Sequence, residues 1–199
     1  KKIKINNFTI SNDSPLCLIA GPCVIESRDH TIKMAELIKE ICNKLEINFI
    51  FKASFDKANR SSFKSVRGIE LEDALSIFKE VKNQFGCPII TDIHNEYQCS
   101  IIKDDDSVDI IQIPAFLSRQ TDLLIAAGKT KKIINVKKGQ FLSPHDMPNI
   151  IDKLLSTLNE KIMLTERGVS FGYNNLVSDF RSLEIMKRYD YPVIFDATH

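Results

Sequence analysis

Two rhythms of apolar residues take turns along this chain. Short continuous runs of the strand type stand at LCLIAGPC, NFIFKAS, CPIITDIH, VDIIQIP, KIINVKK, KIMLTERG and PVIFDATH. Between them apolar residues recur at intervals of three and four, most clearly in HTIKMAELIKEICNKL, LEDALSIFKEVKNQF and MPNIIDKLLSTL, which predicts amphipathic helices. The opening KIKINNFTI alternates residue by residue and predicts a small hairpin. No low-complexity tract, linker or internal repeat interrupts the series, so a single domain over residues 1–199 is expected.

Alternation of strands and helices predicts a parallel sheet with its helices outside, because parallel neighbours must be joined by a crossover. An open doubly wound sheet and a closed eightfold barrel both satisfy that requirement. A dinucleotide fold would place GxGxxG after its first strand, and the GPC of residues 21–23 is not that turn. Most runs instead finish in a polar or reactive residue, namely Cys23, Lys52, His94, Lys137, Arg167 and His199. Barrels gather their active-site groups at the carboxyl ends of the strands. The reading is therefore an α/β protein of the (β/α)8 TIM-barrel type with an N-terminal hairpin. The seventh run reaches the last residue, His199. A barrel usually takes about 250 residues, and an exposed parallel edge leaves backbone groups unpaired. The expectation is that the last βα unit or units are absent from this chain.

Composition narrows the function more than the fold. With 199 residues, 43% of them hydrophobic, there is material for one sizeable core. Lys and Arg number 27 against 26 Asp and Glu, so no overall field favours nucleic acid or a membrane surface, and any anion specificity has to be local. Apolar stretches fall well short of a membrane span, and the N-terminus lacks the apolar core of a signal peptide, so a cytoplasmic setting is expected. The five cysteines are scattered and form no CxxC pair, which argues against a disulfide framework or zinc knuckle and predicts that most are small buried hydrophobes.

Strand alternation sorts the terminal residues. If Ile134 and Val136 pack on helices, Asn135 and Lys137 point inward and Lys138 outward. By the same parity Phe49 and Phe51 face the helices and Lys52 the barrel mouth, Arg167 turns in and Glu166 out, Asp92 groups with His94, and Gln112 is singled out. For His199 the parity is indecisive, because Asp196 and Thr198 compete for the inner face. Lys52, Lys137 and Arg167 would then crowd one rim, which is unfavourable unless an anion neutralises them. The following segment, KASFDKANRSS, adds Lys57, Asn59, Arg60, Ser61 and Ser62, donors suited to phosphate oxygens. Cys23 and His199 are soft donors at strand ends, but two ligands do not make a metal site, and His30, His94 and His145 have no ligand-like spacing with either.

Taken in order, GPCVIES, FKASFDKANRSS, ITDIH, IIQIPAFLSRQTDLL, NVKKGQF, TERGVSFGYNNLVSDFRS and VIFDATH closely resemble the 3-deoxy-D-manno-octulosonate 8-phosphate synthase family. The resemblance implies a TIM barrel, usually a homotetramer, that condenses phosphoenolpyruvate with D-arabinose 5-phosphate for lipopolysaccharide Kdo biosynthesis in the cytoplasm. It implies catalytic roles for Lys52, Lys57, Asp92, Lys137 and His199, and phosphoenolpyruvate contacts from Lys52, Lys57, Gln112, Ala115, Lys137 and Arg167. Asn59, Arg60 and Ser61 match the pentose phosphate positions, and Phe116 and Arg119 the interface loop. Cys at position 23 resembles the metal-dependent branch of the family, with His199 as a second ligand of a divalent Zn, Fe, Mn or Co ion. The remaining Glu and Asp ligands of that branch belong to an eighth strand and loop that this sequence lacks. Two rivals are a 3-deoxy-D-arabino-heptulosonate 7-phosphate synthase, whose acceptor loop reads KPRTS-like where this one reads KANRSS, and a non-catalytic sugar-phosphate-binding remnant.

Overall fold

A computed structural model describes residues 1–59 and 67–198. The chain opens with the antiparallel pair β1 (Ile3–Ile5) and β2 (Phe8–Ile10), turned at Asn6, whose φ of 48° suits the left-handed region that Asn tolerates. Strands and helices then alternate: β3 (Cys17–Ala20), α1 (Arg28–Lys44), β4 (Asn48–Lys52), α2 (Leu71–Phe85), β5 (Ile89–Asp92), α3 (Glu96–Lys103), β6 (Ile110–Ile113), α4 (Thr121–Lys129), β7 (Ile133–Lys137), α5 (Met147–Leu155) and β8 (Ile162–Glu166). A short antiparallel pair, β9 (Val169–Ser170) and β10 (Leu176–Val177), precedes α6 (Arg181–Lys187) and β11 (Val193–Phe195). The seven apolar runs each carry a strand of one parallel sheet, ordered β3, β4, β5, β6, β7, β8, β11.

That sheet is curled. Laid flat, its outer strands would lie roughly 29 Å apart at 4.8 Å per step. Yet Ile19 of β3 and Ile194 of β11 pack against the same apolar cluster as Ile50, Ile90, Ile110, Ile133 and Met163 from the strands between them. The initial hairpin plugs the amino-terminal end of this interior with Ile3, Ile5 and Ile10, each nearly fully buried. Burying each such side chain contributes roughly 1.5–3 kcal/mol. Asn12 fastens the plug by donating Nδ2–H to the Tyr191 carbonyl and accepting the Val193 amide on Oδ1, both at 2.9 Å. The eighth strand of a closed barrel is not among the described residues.

The opposite parity faces the helices. Phe49, Phe51, Ile111, Ile113, Ile134, Val136, Ile162 and Leu164 join Ala35, Phe78, Leu124, Ile150 and Leu154 in a second, larger core. Helix starts and stops follow local chemistry: Ser27 accepts the His30 amide at the start of α1, Asn95 accepts the Gln98 amide at the start of α3, and Gly86 (φ 63°) ends α2. Of the five cysteines, all free, Cys42, Cys87 and Cys99 are buried, Cys17 is half-buried and Cys23 is exposed. Burial pushes the thiols of Cys17 and Cys99 up to about 12. Among the described residues no helix is long and apolar enough to cross a membrane.

Glycine is required where β3 ends. A Cβ on Gly21 would stand 2.0 Å from the Lys52 carbonyl oxygen, so the tight approach of β3 to the end of β4 exists only without a side chain there. Gly21→Ala is expected to destabilise the fold by about 3 kcal/mol, the upper end of overpacking costs. Gly86→Ala, with open space around it, should cost about 1 kcal/mol from its positive φ alone. Urea unfolding of both variants checks the order, and equal losses would contradict the close approach.

Candidate active site

Above the apolar layer each inner strand position turns polar. Lys52, Asp92, Gln112, Asn135 and Thr165 follow Ile50, Ile90, Ile110, Ile133 and Met163 two residues on, so parity places them on the inner face one step nearer the carboxyl end. They form a continuous girdle. Ser54 donates to Asp92 Oδ2, and Gln112 Nε2 donates to Asp92 Oδ1. Asn135 Nδ2 donates to Gln112 Oε1 at 3.0 Å, and Thr165 Oγ1 to Asn135 Oδ1 at 2.7 Å.

The cations stand on this girdle. Lys52 Nζ and Lys57 Nζ donate to the Ser54 hydroxyl at 2.9 and 3.0 Å, and Lys52 Nζ lies 3.8 Å from Asp92 Oδ2. Lys137 Nζ pairs with Asp196 at 2.5 Å. Arg167 is 9% exposed, and its buried Nε–H has no partner among the described residues. The sequence-derived candidates Lys52, Lys57, Asp92, Gln112, Lys137 and Arg167 are thus brought together. Among the described residues four cations here meet the two carboxylates Asp92 and Asp196, and a mouth with that surplus suits a multiply charged anion.

Electrostatics follow from this crowding. Burial holds Lys52 below the usual lysine range, with Lys57 and Lys137 pushing the same way and Asp92 opposing them. Burial also disfavours the Asp92 carboxylate, but Lys52, the Ser54 hydroxyl, Lys57 and the Gln112 amide outweigh it and hold the group below the ordinary carboxylate value. Arg167 is lowered by burial against the opposing pull of Asp196 and Glu166. His94, packed edge-on to Phe55 with centroids 5.6 Å apart, is lowered by burial with Asp92 and Asp56 opposing.

The remaining described candidates lie around the rim. Cys23 is exposed after the Gly21 turn, and the next residues bridge to the end of β4 through the Val24 to Ser54 pairing and the Ile25 amide on the Ser54 carbonyl at 2.9 Å. Ala115 is buried at the start of a short 3-10 turn, Ala115–Leu117, beyond β6, while Phe116 and Arg119 are exposed beside it. Asn59 is exposed. Arg60, Ser61 and His199 lie outside the described residues. The described residues alone do not fit a metal ion, because no three of their His, Cys, Asp and Glu side chains form a group that could hold one.

Sequence reasoning passed over Ser54, which joins both lysines to Asp92, and gave no role to Asn135, Thr165 or Asp196. Inward parity was the available signal for Asn135 and Thr165. Ser54 lies past the end of β4, where parity no longer tells. Lys138 does point outward but is fully buried against Glu166, which an outward parity alone does not reveal.

The chain matches the DAHP synthetase I family over residues 2–199. It is similar to the 2-dehydro-3-deoxyphosphooctonate aldolase of Bartonella henselae, 56% identical over 197 residues covering 99% of this chain and 70% of that protein. The protein of the same name from Bartonella tribocorum is 55% identical over 198 residues, covering 100% of this chain and 70% of the relative. That from Brucella ovis is 56% identical over 197 residues, with 99% and 70% covered. A curled parallel sheet, a polar girdle closed by Asp92 and a match spanning nearly every residue lead to one assignment: this chain belongs to the DAHP synthetase I family.

Proposed function

We propose that the protein is a transferase that condenses phosphoenolpyruvate with D-arabinose 5-phosphate and water, yielding 3-deoxy-D-manno-octulosonate 8-phosphate and inorganic phosphate for Kdo biosynthesis. The observation that carries this reading is the convergence of Lys52, Lys57, Lys137 and Arg167 above the Asp92 girdle. The names of the relatives support the eight-carbon product over the seven-carbon one, although the family description covers the latter name.

In this reading phosphoenolpyruvate lies over the girdle with its phosphate and carboxylate on the four cations, the Gln112 amide and the backbone at Ala115. Asn59, Arg60 and Ser61 receive the pentose phosphate. Carbon 3 of the enol attacks the aldehyde carbon, using the carbon 2 to carbon 3 electron pair, and the aldehyde oxygen takes a proton. Water oxygen bonds to carbon 2, loses its protons, and the ketone forms as phosphate leaves with cleavage of the carbon 2 to oxygen bond. Lysines and arginine fixed in advance offset the repulsion between two dianions and the charge that gathers on the departing phosphate. Asp92 holds Lys52, and through Ser54 also Lys57, in place for this.

A divalent ion is also proposed, Zn, Fe, Mn or Co, held by Cys23 and His199 together with donors beyond the described residues; no step above passes through it. A cytoplasmic homotetramer with Phe116 and Arg119 at its interface completes the reading. Neither nucleic acid nor a membrane surface is an expected partner, given the balanced charge of 27 basic against 26 acidic residues.

Three measurements test this. Phosphate release in the presence of each aldose should require arabinose 5-phosphate; turnover with erythrose 4-phosphate alone would select the seven-carbon synthase, and turnover with neither the binding remnant. Proton linkage tests Lys52. Because burial lowers its folded value, a bound dianion should raise it, so phosphoenolpyruvate binding is expected to take up protons in the pH window between the lowered free value and the raised bound value of Lys52, measured at pH above about 8 so that a phosphate monoester with second pKa near 6 does not contribute. Calorimetry in buffers of different ionisation enthalpy measures this, and zero uptake throughout the range up to the ordinary lysine value of about 10.4 would remove Lys52 from the anion site. Finally, Cys23→Asn should bring the metal content of the purified protein to background by atomic emission, whereas unchanged content makes Cys23 a plain surface thiol.

A further inference from the structure

The outer face of β7 and β8 carries a charged pair that the reaction leaves unused. Lys138 and Glu166 side chains are 0% and 1% exposed between sheet and helices, with Nζ and Oε1 3.5 Å apart. Such a pair returns little net stability once its desolvation is counted, and apolar replacements are often at least as stable. Its contacts point to another use.

Lys138 Nζ donates to the Leu142 carbonyl at 3.1 Å. Glu166 Oε1 accepts the backbone amides of Arg167 and Gly168 at 3.0 and 2.7 Å, while the buried Oε2 has no partner among the described residues. The carboxylate is therefore aimed at the turn where the chain leaves β8, and Gly168 makes that turn with a φ of +94°. Behind it, the Ser170 amide bonds the Gln140 carbonyl at 2.9 Å and the Lys138 amide the Thr165 carbonyl at 2.8 Å, so the segments after β7 and β8 are held together from outside. Consecutive strand residues face opposite ways. Holding Glu166 outward and fixing the Arg167 amide sends the Arg167 side chain inward.

Glu166 is also close enough to act electrostatically on the Arg167 guanidinium. Without Lys138 this carboxylate would compete with a bound anion for that guanidinium; with Lys138 on it, the competition is weakened. We infer that the Lys138 and Glu166 pair positions Arg167 for the anionic substrate, Glu166 by clamping its backbone and Lys138 by occupying the carboxylate. This rests on the phosphoenolpyruvate reading of Arg167.

The test uses Lys138→Met, the double variant Lys138→Met with Glu166→Gln, and Lys138→Met in an Arg167→Ala background, read by the phosphoenolpyruvate Kd from calorimetry and by thermal melting. Lys138→Met should raise the Kd roughly tenfold, as expected of coupled neighbours. Adding Glu166→Gln, which keeps an oxygen for the two amides but removes the competing charge, should restore the Kd to within about twofold. In the Arg167→Ala background Lys138→Met should change nothing. The inference is overturned if Lys138→Met shifts the melting temperature and not the Kd, if Glu166→Gln fails to rescue, or if the same weakening persists without Arg167. Failure of the underlying reading looks different: Arg167→Ala alone would leave the Kd unchanged, which removes the purpose of the clamp with it.

Discussion

Asp92 is the fixed point of the inner surface, because a buried carboxylate can only accept hydrogen bonds and so dictates the direction of every bond that leads away from it. Gln112 must present its NH2 to Asp92, which leaves Oε1 for Asn135. Asn135 must then present its own NH2 to Gln112, and its oxygen accepts from Thr165. Four strands are thus locked in one donor order by one charge. On the other side Ser54 gives its single proton to Asp92 and has only lone pairs left, which is why both Lys52 and Lys57 can rest on it.

The apolar layer beneath gives this network its strength. Ile50, Ile90, Ile110, Ile133 and Met163 are almost sealed from water by the Ile3, Ile5 and Ile10 plug, so the girdle lies between a dry floor and an open mouth. Electrostatic attraction is stronger in such a setting than in bulk water, for the Asp92 to Lys52 contact and equally for an arriving phosphate. The hairpin at the far end of the barrel therefore contributes to the site without touching it. Asn12, bonded to backbone on both sides of Pro192, ties that plug to the last described strand.

Much of this was legible in the sequence, for one physical reason. Strands of a curled parallel sheet are buried on both faces, so polar residues interrupt them only where there is a partner or a ligand, and parity then assigns Lys52, Asp92, Gln112, Lys137 and Arg167 to one face. Legibility ends where parity ends. Ser54 sits past the last residue of β4, on a segment whose direction is set by the bridge to Val24. The β9 and β10 pair was hidden inside a loop-like stretch, because its turn depends on positive φ at Gly172 and Asn174 and its strands are two residues long. For Lys138, sequence gives the outward direction correctly but not what covers that face.

The two adjacent residues Glu166 and Arg167 join these levels. On the outer side the charges are matched, one lysine to one glutamate, in a space closed to solvent. On the inner side, among the described residues, they are not matched, since Lys52, Lys57, Lys137 and Arg167 face Asp92 and Asp196. Both arrangements carry a desolvation cost, but among the described residues only the outer one pairs its charges one to one. Burial, with Lys57 and Lys137 pushing the same way, lowers Lys52, the Arg167 Nε–H has no acceptor among the described residues, and both conditions are relieved by the same event, the arrival of an anion. A fold that pairs charge where no ligand can reach, and gathers more cations than carboxylates among its described residues one residue away where a ligand can, has put the free energy of its own crowding at the disposal of binding.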